Sequence, residues 1–198
     1  MAENHDMADP SRYSFYVDDA LYLEAIADFA LLRGDHPTVG DHAERDRFRG
    51  LVEREARLLD GRQFEAWLRF YADECLYWVP STPHGGDPRR EIAVMFDDRR
   101  RLEDRVFRLS TGFAWSQAPA SRTMRMISNV EVFASDDPEQ RLVRSNFLIH
   151  EFWDDETRAL AGWAGHRFRR LGGVWRISAK QVNLLVCDQP IRNPSIIL

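Results

Sequence analysis

The sequence predicts an α+β domain in which helices come first and a long antiparallel sheet follows. Apolar residues recur at helical spacing between residues 18 and 72. Beyond Pro119, four extended runs of about a dozen residues follow one another through short turns. Six Trp, twelve Phe and five Tyr in 198 residues supply the bulk for a core. Each such side chain contributes roughly 1.5–3 kcal/mol when fully buried. A chain of this content is not disordered.

Residues 1–17 read as a loosely docked tail. Residues 18–34 read as a first helix, with Leu21, Ala25, Ile26, Phe29 and Leu32 on one stripe and Gly34 at its end. The stretch 35–45 is a linker, with Pro and Gly and little apolar content. Accordingly, residues 1–45 are expected to be an N-terminal extension with one helix, and 46–198 the main domain.

A second helix is expected over 46–60, with Phe48, Leu51, Val52, Ala56, Leu58 and Leu59 on its apolar face and Asp60-Gly61 as its stop. A third is expected over 62–72, carrying Phe64, Trp67, Leu68 and Tyr71. Residues 75–80, CLYWVP, read as a strand ended by Pro80. STPHGGDPRR is a loop, and EIAVMF a short strand. From Asp97 to Ser110 the pattern is helical again, with Leu102, Val106 and Leu109 in line.

The run 122–134 alternates. Met124, Met126, Ser128, Val130 and Val132 take one face, and Arg125, Ile127, Asn129, Glu131 and Phe133 the other. Three more runs follow, at 141–153, 159–171 and from Val174 onward, with Gly172-Gly173 as a tight turn. Strands usually span 3–10 residues, so these must twist into a strongly curved sheet. Both faces carry apolar residues: one meets the helices, the other something else. A curved sheet closed by helices makes an open cone, which resembles the cystatin-like or nuclear-transport-factor-2-like (NTF2-like) fold.

Composition excludes several functions. A net charge of −5 argues against nucleic acid as a partner. No run of about 18 apolar residues is present, so no membrane helix is expected. The acidic start has no apolar stretch of a secretory signal, and a cytoplasmic location is expected. Lys180 is the single lysine among 27 basic residues. Genomic base composition explains such a bias, as would a need for guanidinium forks on carboxylates.

Recognisable chemistry is sparse. Cys75 and Cys187 lack CxxC spacing, sit in apolar runs and read as buried, inert thiols. No phosphate loop, HExxH or GxSxG is present. His5, His36, His42 and His84 lie in tail or loop segments. His150 and His166 fall on neighbouring strands, but Glu151 follows His150 and points to the opposite face, which disfavours a metal triad. The helix over 97–110 carries five Arg among four acids, as a solvated face does. Phe113, Trp115, Pro119, Arg122 and Arg125 then interleave aromatics with Arg, a composition of protein contacts. Core packing explains Trp115 equally well.

The segment LEDRVFRLSTGFAWSQAPASRTMRMISNV, residues 102–130, resembles the signature of the β (small) subunits of Rieske-type aromatic-ring-hydroxylating dioxygenases. EARLLDGRQFEAWLRFYADECLYWVP, GVWRISAKQVNLL and FDDRRRLEDR support the likeness, which covers about residues 46–198. The resemblance implies an NTF2-like cone and an α3β3 hexamer with a trimer of β chains. It also implies that the Rieske 2Fe-2S cluster and the mononuclear Fe(II) belong to the α subunit, with no cofactor in this chain. The matching positions Arg105, Arg108, Trp115, Arg122, Arg125 and Asn129 would then serve the subunit interface and the internal ion-pair framework rather than catalysis. The alternative is a stand-alone dehydratase or isomerase of the same fold, with His150 or His166 as base and Asp73 or Tyr77 assisting. A carrier with an empty apolar cone is a third reading. An open polar pocket would favour the enzyme, and a filled one the structural role.

Overall fold

The computed structural model describes residues 17, 19–83, 85–87, 90–111, 117, 119–191 and 196–198. Trp115, and with it Phe113, His5 and His84, lie outside the described residues. Among these described residues, four helices and six strands follow in the order α1 (Asp19–Leu31), α2 (His42–Asp60), α3 (Phe64–Leu68), β1 (Tyr71–Pro80), β2 (Ala93–Asp98), α4 (Arg99–Ser110), β3 (Arg122–Ala134), β4 (Gln140–Trp153), β5 (Glu156–Leu171) and β6 (Val174–Leu184).

Local chemistry sets the boundaries. α2 starts earlier than its apolar stripe, because Asp41 caps it, accepting from the Ala43 N–H at 3.0 Å. α3 stops at Leu68, well short of the expected residue 72. Tyr71 is drawn into the sheet beside Ile177, so β1 begins there rather than at Cys75. β2 runs through Asp98, and α4 begins only at Arg99, with the Asp98 carboxylate accepting from the Arg101 N–H at 2.9 Å.

The strands form one sheet in the order β2-β1-β6-β5-β4-β3. Every neighbouring pair is antiparallel except β1 and β6, which are parallel. The meander from β3 to β6 is the one the sequence predicts. Two of its hairpins turn through pairs of left-handed residues, Asp154-Asp155 (φ 52 and 59) and Gly172-Gly173 (φ 56 and 81), the backbone that suits the strand twist.

The expected alternation of β3 fails half-way. A bulge lies between Ser128 and Glu131, where β3 spends one residue more than β4. Before it Ile127 points into the main core, and after it Val132 does, so the parity inverts. Asn129 sits in the bulge at φ 50, a conformation that Asn tolerates.

The helices α2, α3 and α4 close one face of the curved sheet into an NTF2-like cone. Its core joins Phe48, Val52, Leu59 and Trp67 to Tyr77, Phe147, Ile149, Phe168 and Val182. The opposite face is partly covered by α1. Ala25, Phe29 and Leu32 pack there with Leu76, Trp78, Phe133, Leu142 and Ala179. Arg167, on the same face, is fully buried; its guanidinium reaches Glu24 at 3.1 Å and Asp28 at 3.4 Å on α1. Farther along that face, Met124 and Met126 are about half exposed.

Candidate functional site

The polar groups of the cone gather in one buried cluster. His166 lies opposite Lys180 across β5 and β6, and Lys180 lies opposite Tyr77 across β6 and β1. Side chains at paired positions share a face, so these three form a row on the inner side. α2 lays Glu55 over that row. One Glu55 oxygen accepts from Trp67 Nε1 at 3.0 Å, Tyr71 OH at 3.0 Å and Lys180 Nζ at 2.9 Å; the other meets His166 Nε2 at 2.9 Å. Glu55 is 3% exposed and His166 1%.

The cluster fixes its own protonation. Burial alone would raise the Glu55 carboxyl, but Lys180 and then His166 outweigh it and hold the group far below the usual carboxylate range. Burial pushes His166 down, against the pull of Glu55. A neutral His166 beside an ionised Glu55 carries its proton on Nε2 and donates it to the carboxylate. Burial likewise lowers Lys180 and raises Tyr71 and Tyr77, and lifts the Cys75 thiol to about 12.

The chain's last described segment closes the cone. Ile196, Ile197 and Leu198 are buried. The Leu198 oxygen accepts from Tyr77 OH and from Lys180 Nζ at 3.2 Å, and the Ile197 oxygen accepts from Arg125. Arg125 also holds Asp60 with its guanidinium, and its backbone N–H donates to the same carboxylate at 2.8 Å. Inside, a cavity of about 30 Å³ remains, lined by Val52, Glu55, Phe147, His166 and Lys180 among others. An apolar cavity that holds benzene is roughly 150 Å³.

The four residues of the enzyme alternative do not meet. Tyr77 and His166 enter the cone, whereas Asp73 and His150 are exposed. His150 pairs with Met124 and Ala159, on the face away from the cavity. Sequence reasoning missed Glu55, Lys180, Tyr71 and Trp67 as one group. The signal existed for Glu55: it falls within the stripe of Val52, Ala56, Leu58 and Leu59, where a carboxylate needs a buried partner. Lys180, the one lysine, was its counterpart.

The positions marked by resemblance divide. Arg105 grips the buried Asp97 with Nε at 3.0 Å and Nη2 at 2.5 Å. Arg125, with a side chain 5% exposed, is internal. Asn129 shapes the bulge. Arg108 is exposed, its Nε donating to the Asp104 carbonyl at 3.3 Å. Arg122 is exposed too, stacked 4.5 Å from the Phe152 ring centre. Among the described residues, no group of three His, Cys, Asp or Glu is placed to hold a metal ion.

A family model described as the ring hydroxylating beta subunit matches residues 54–188. The chain belongs to this family of ring-hydroxylating dioxygenase β subunits. It is 33% identical over 157 residues to the small oxygenase component of the p-cumate 2,3-dioxygenase system of Pseudomonas putida, covering 78% of this chain and 87% of that one. It is 36% identical over 104 residues to the 2-halobenzoate 1,2-dioxygenase small subunit of Burkholderia cepacia, covering 50% and 61%. Among solved structures, the β subunit of benzoate 1,2-dioxygenase from Burkholderia mallei superposes with a TM-score of 0.60 at 29% identity, covering 75% of this chain and 93% of that one. A naphthalene 1,2-dioxygenase chain gives 0.65 at 25% identity, covering 78% and 82%. As a β subunit, the chain is the small, non-catalytic part of an oxidoreductase that hydroxylates aromatic rings; the stand-alone dehydratase or isomerase gives way to that reading.

Proposed function

We propose that this chain is the assembly scaffold of its dioxygenase, joining a trimer of β chains to three catalytic α subunits in an α3β3 particle in the cytoplasm. The closed cone supports this reading above all: Ile196, Ile197 and Leu198 are buried against it and tied by Lys180, Tyr77 and Arg125. A core tied in this way offers a rigid body to partners, and ordering a partner stabilises it by mass action.

A Rieske cluster takes two Cys and two His ligands. This chain's two cysteines are free and buried, and they stand far apart in the sequence, so its residues do not fit the cluster. Cluster and mononuclear iron are assigned to the α subunit. Two relatives are named for p-cumate and 2-halobenzoate, which supports a monocyclic aromatic carboxylate as the oxygenase's substrate class.

Co-expression with an α subunit tests the assignment. Native mass should show three copies of each chain, with iron and cluster absorbance following α. Turnover or iron uptake by this chain alone would overturn it, as would a complex of any other stoichiometry. Benzoate should be dihydroxylated in preference to naphthalene; the reverse order would remove the substrate class and leave the scaffold.

A further inference from the structure

We propose that the cone binds a buried water molecule between His166 Nδ1 and Ser145 Oγ, and that this water extends the Glu55 cluster to β4. Both atoms are buried without a hydrogen-bond partner. Both residues line the cavity of about 30 Å³, together with Val52 and Ala56 of α2.

Strand register brings the two side chains together. His166 pairs with Val143 across β4 and β5, and Ser145 pairs with Ala164. They are therefore diagonal neighbours on the inner face, about 7–8 Å apart or somewhat less. Two short side chains span such a gap through one bridging molecule. The inward positions along β4 are Val143, Ser145, Phe147 and Ile149, so Ser145 puts a hydroxyl into an apolar row. Burying a hydroxyl there without a partner is unfavourable.

The chemistry of the wall selects the occupant. His166 directs its Nε2 proton to Glu55, which leaves Nδ1 as an acceptor. Ser145 Oγ both donates and accepts. Lys180 Nζ donates to Glu55 and to the Leu198 oxygen, and its third N–H remains on a side chain that lines the same cavity. The occupant must donate to one group and accept from another. A water does both, needs roughly 10–15 Å³ and makes two to four hydrogen bonds. An organic ring is too large for the space, a cation is repelled by Lys180, and an anion by Glu55. Arg125 Nε is a third unpaired atom on the wall, but it enters from a position opposite Ile149, four residues along β4 from Ser145.

A high-resolution crystal structure of the full chain tests the site. It should show one ordered water within about 3.2 Å of both His166 Nδ1 and Ser145 Oγ. In solution, oxygen-17 relaxation dispersion should lose the amplitude of one long-lived water in Ser145→Val, whose methyl groups fill the space. The unfolding constant of that variant should rise about tenfold in urea, because His166 Nδ1 is then left unpaired. In a dry cavity the same substitution would remove an unpaired hydroxyl and fill a void, so it would stabilise the chain. A cavity without ordered water density, xenon binding there under pressure, or a stabilised Ser145→Val each overturns the proposal. The wild-type crystal decides the matter even if Ser145→Val fails to fold.

Discussion

Lys180 donates to Glu55 at 2.9 Å inside the cone, and neither side chain is more than 6% exposed. Removing one member of such a pair leaves the other buried and uncompensated, at about 3–5 kcal/mol. Glu55→Gln should therefore lower stability by about that much in urea unfolding. The joint variant Glu55→Leu with Lys180→Met removes both charges of the pair but leaves Trp67 Nε1, Tyr71 OH and His166 Nε2 without their acceptor, so it should recover only part of the loss. A double variant as unstable as Glu55→Gln would show that the geometry itself is needed.

Acid should unfold the chain in two stages. The native His166 is held below its ordinary 6.5 by burial. The unfolded chain then binds the extra proton, and stability declines as pH falls below 6.5. Glu55 is held below its ordinary 4.5, where Lys180 and His166 outweigh burial. Its contribution is complete above 4.5 and is lost as pH falls further. Thermal midpoints between pH 8 and 3 should show a shallow decline and then a steep one, and Glu55→Gln should remove the steep part.

Arg122 and Arg125 are three positions apart and should respond differently. Arg125→Ala severs both the tie to Asp60 and the tie to the Ile197 carbonyl. It should cost about 1–3 kcal/mol, as for a buried polar group left unpaired, and it should expose residues 196–198 to exchange. Arg122→Ala loses only a surface stack on Phe152. It should leave the melting temperature within a degree or two and weaken assembly. Equal melting losses in both variants would contradict the division.

Asn129 holds φ 50 in the β3 bulge. A β-branched side chain there costs about 1–2 kcal/mol, so Asn129→Val should destabilise by that amount, while Asn129→Gly should be nearly neutral. Urea unfolding of the two variants measures the difference.

Gly165 lets α1 approach the sheet. A Cβ at that position would stand 2.9 Å from Leu32 Cδ1 and 3.0 Å from Phe29 Cδ1. Gly165→Val should displace α1, raising amide exchange across residues 19–31 with little change in β5. Unaltered exchange there would mean that the helix is not seated through this contact.

Periodicity found most of the fold, because burial on one face leaves a regular mark. All six strands and the helix types followed from apolar runs, alternation and stripes. What it missed had no local mark. The bulge at Ser128–Glu131 depends on the register of β4, so the inward positions of Ile127 and Val132 could not both follow from one alternation. The shortening of α3 depends on β6 claiming Tyr71. The cone cluster draws on α2, α3, β1, β5 and β6, and only Glu55 on an apolar stripe advertised it. His150 was misleading, since strand adjacency to His166 does not put two residues on the same face.

The distribution of sulfur has its own outcome in an assembly that handles O2. Cys75 and Cys187 are free but buried, and the Cys75 thiol stays protonated well above neutral pH, so peroxide finds no thiolate to attack. Met124 and Met126 are about half exposed on the face of the sheet away from the cone. Among the described residues of the free chain, oxidant would thus act first on these two thioethers, as sulfoxides that a reductase can reverse.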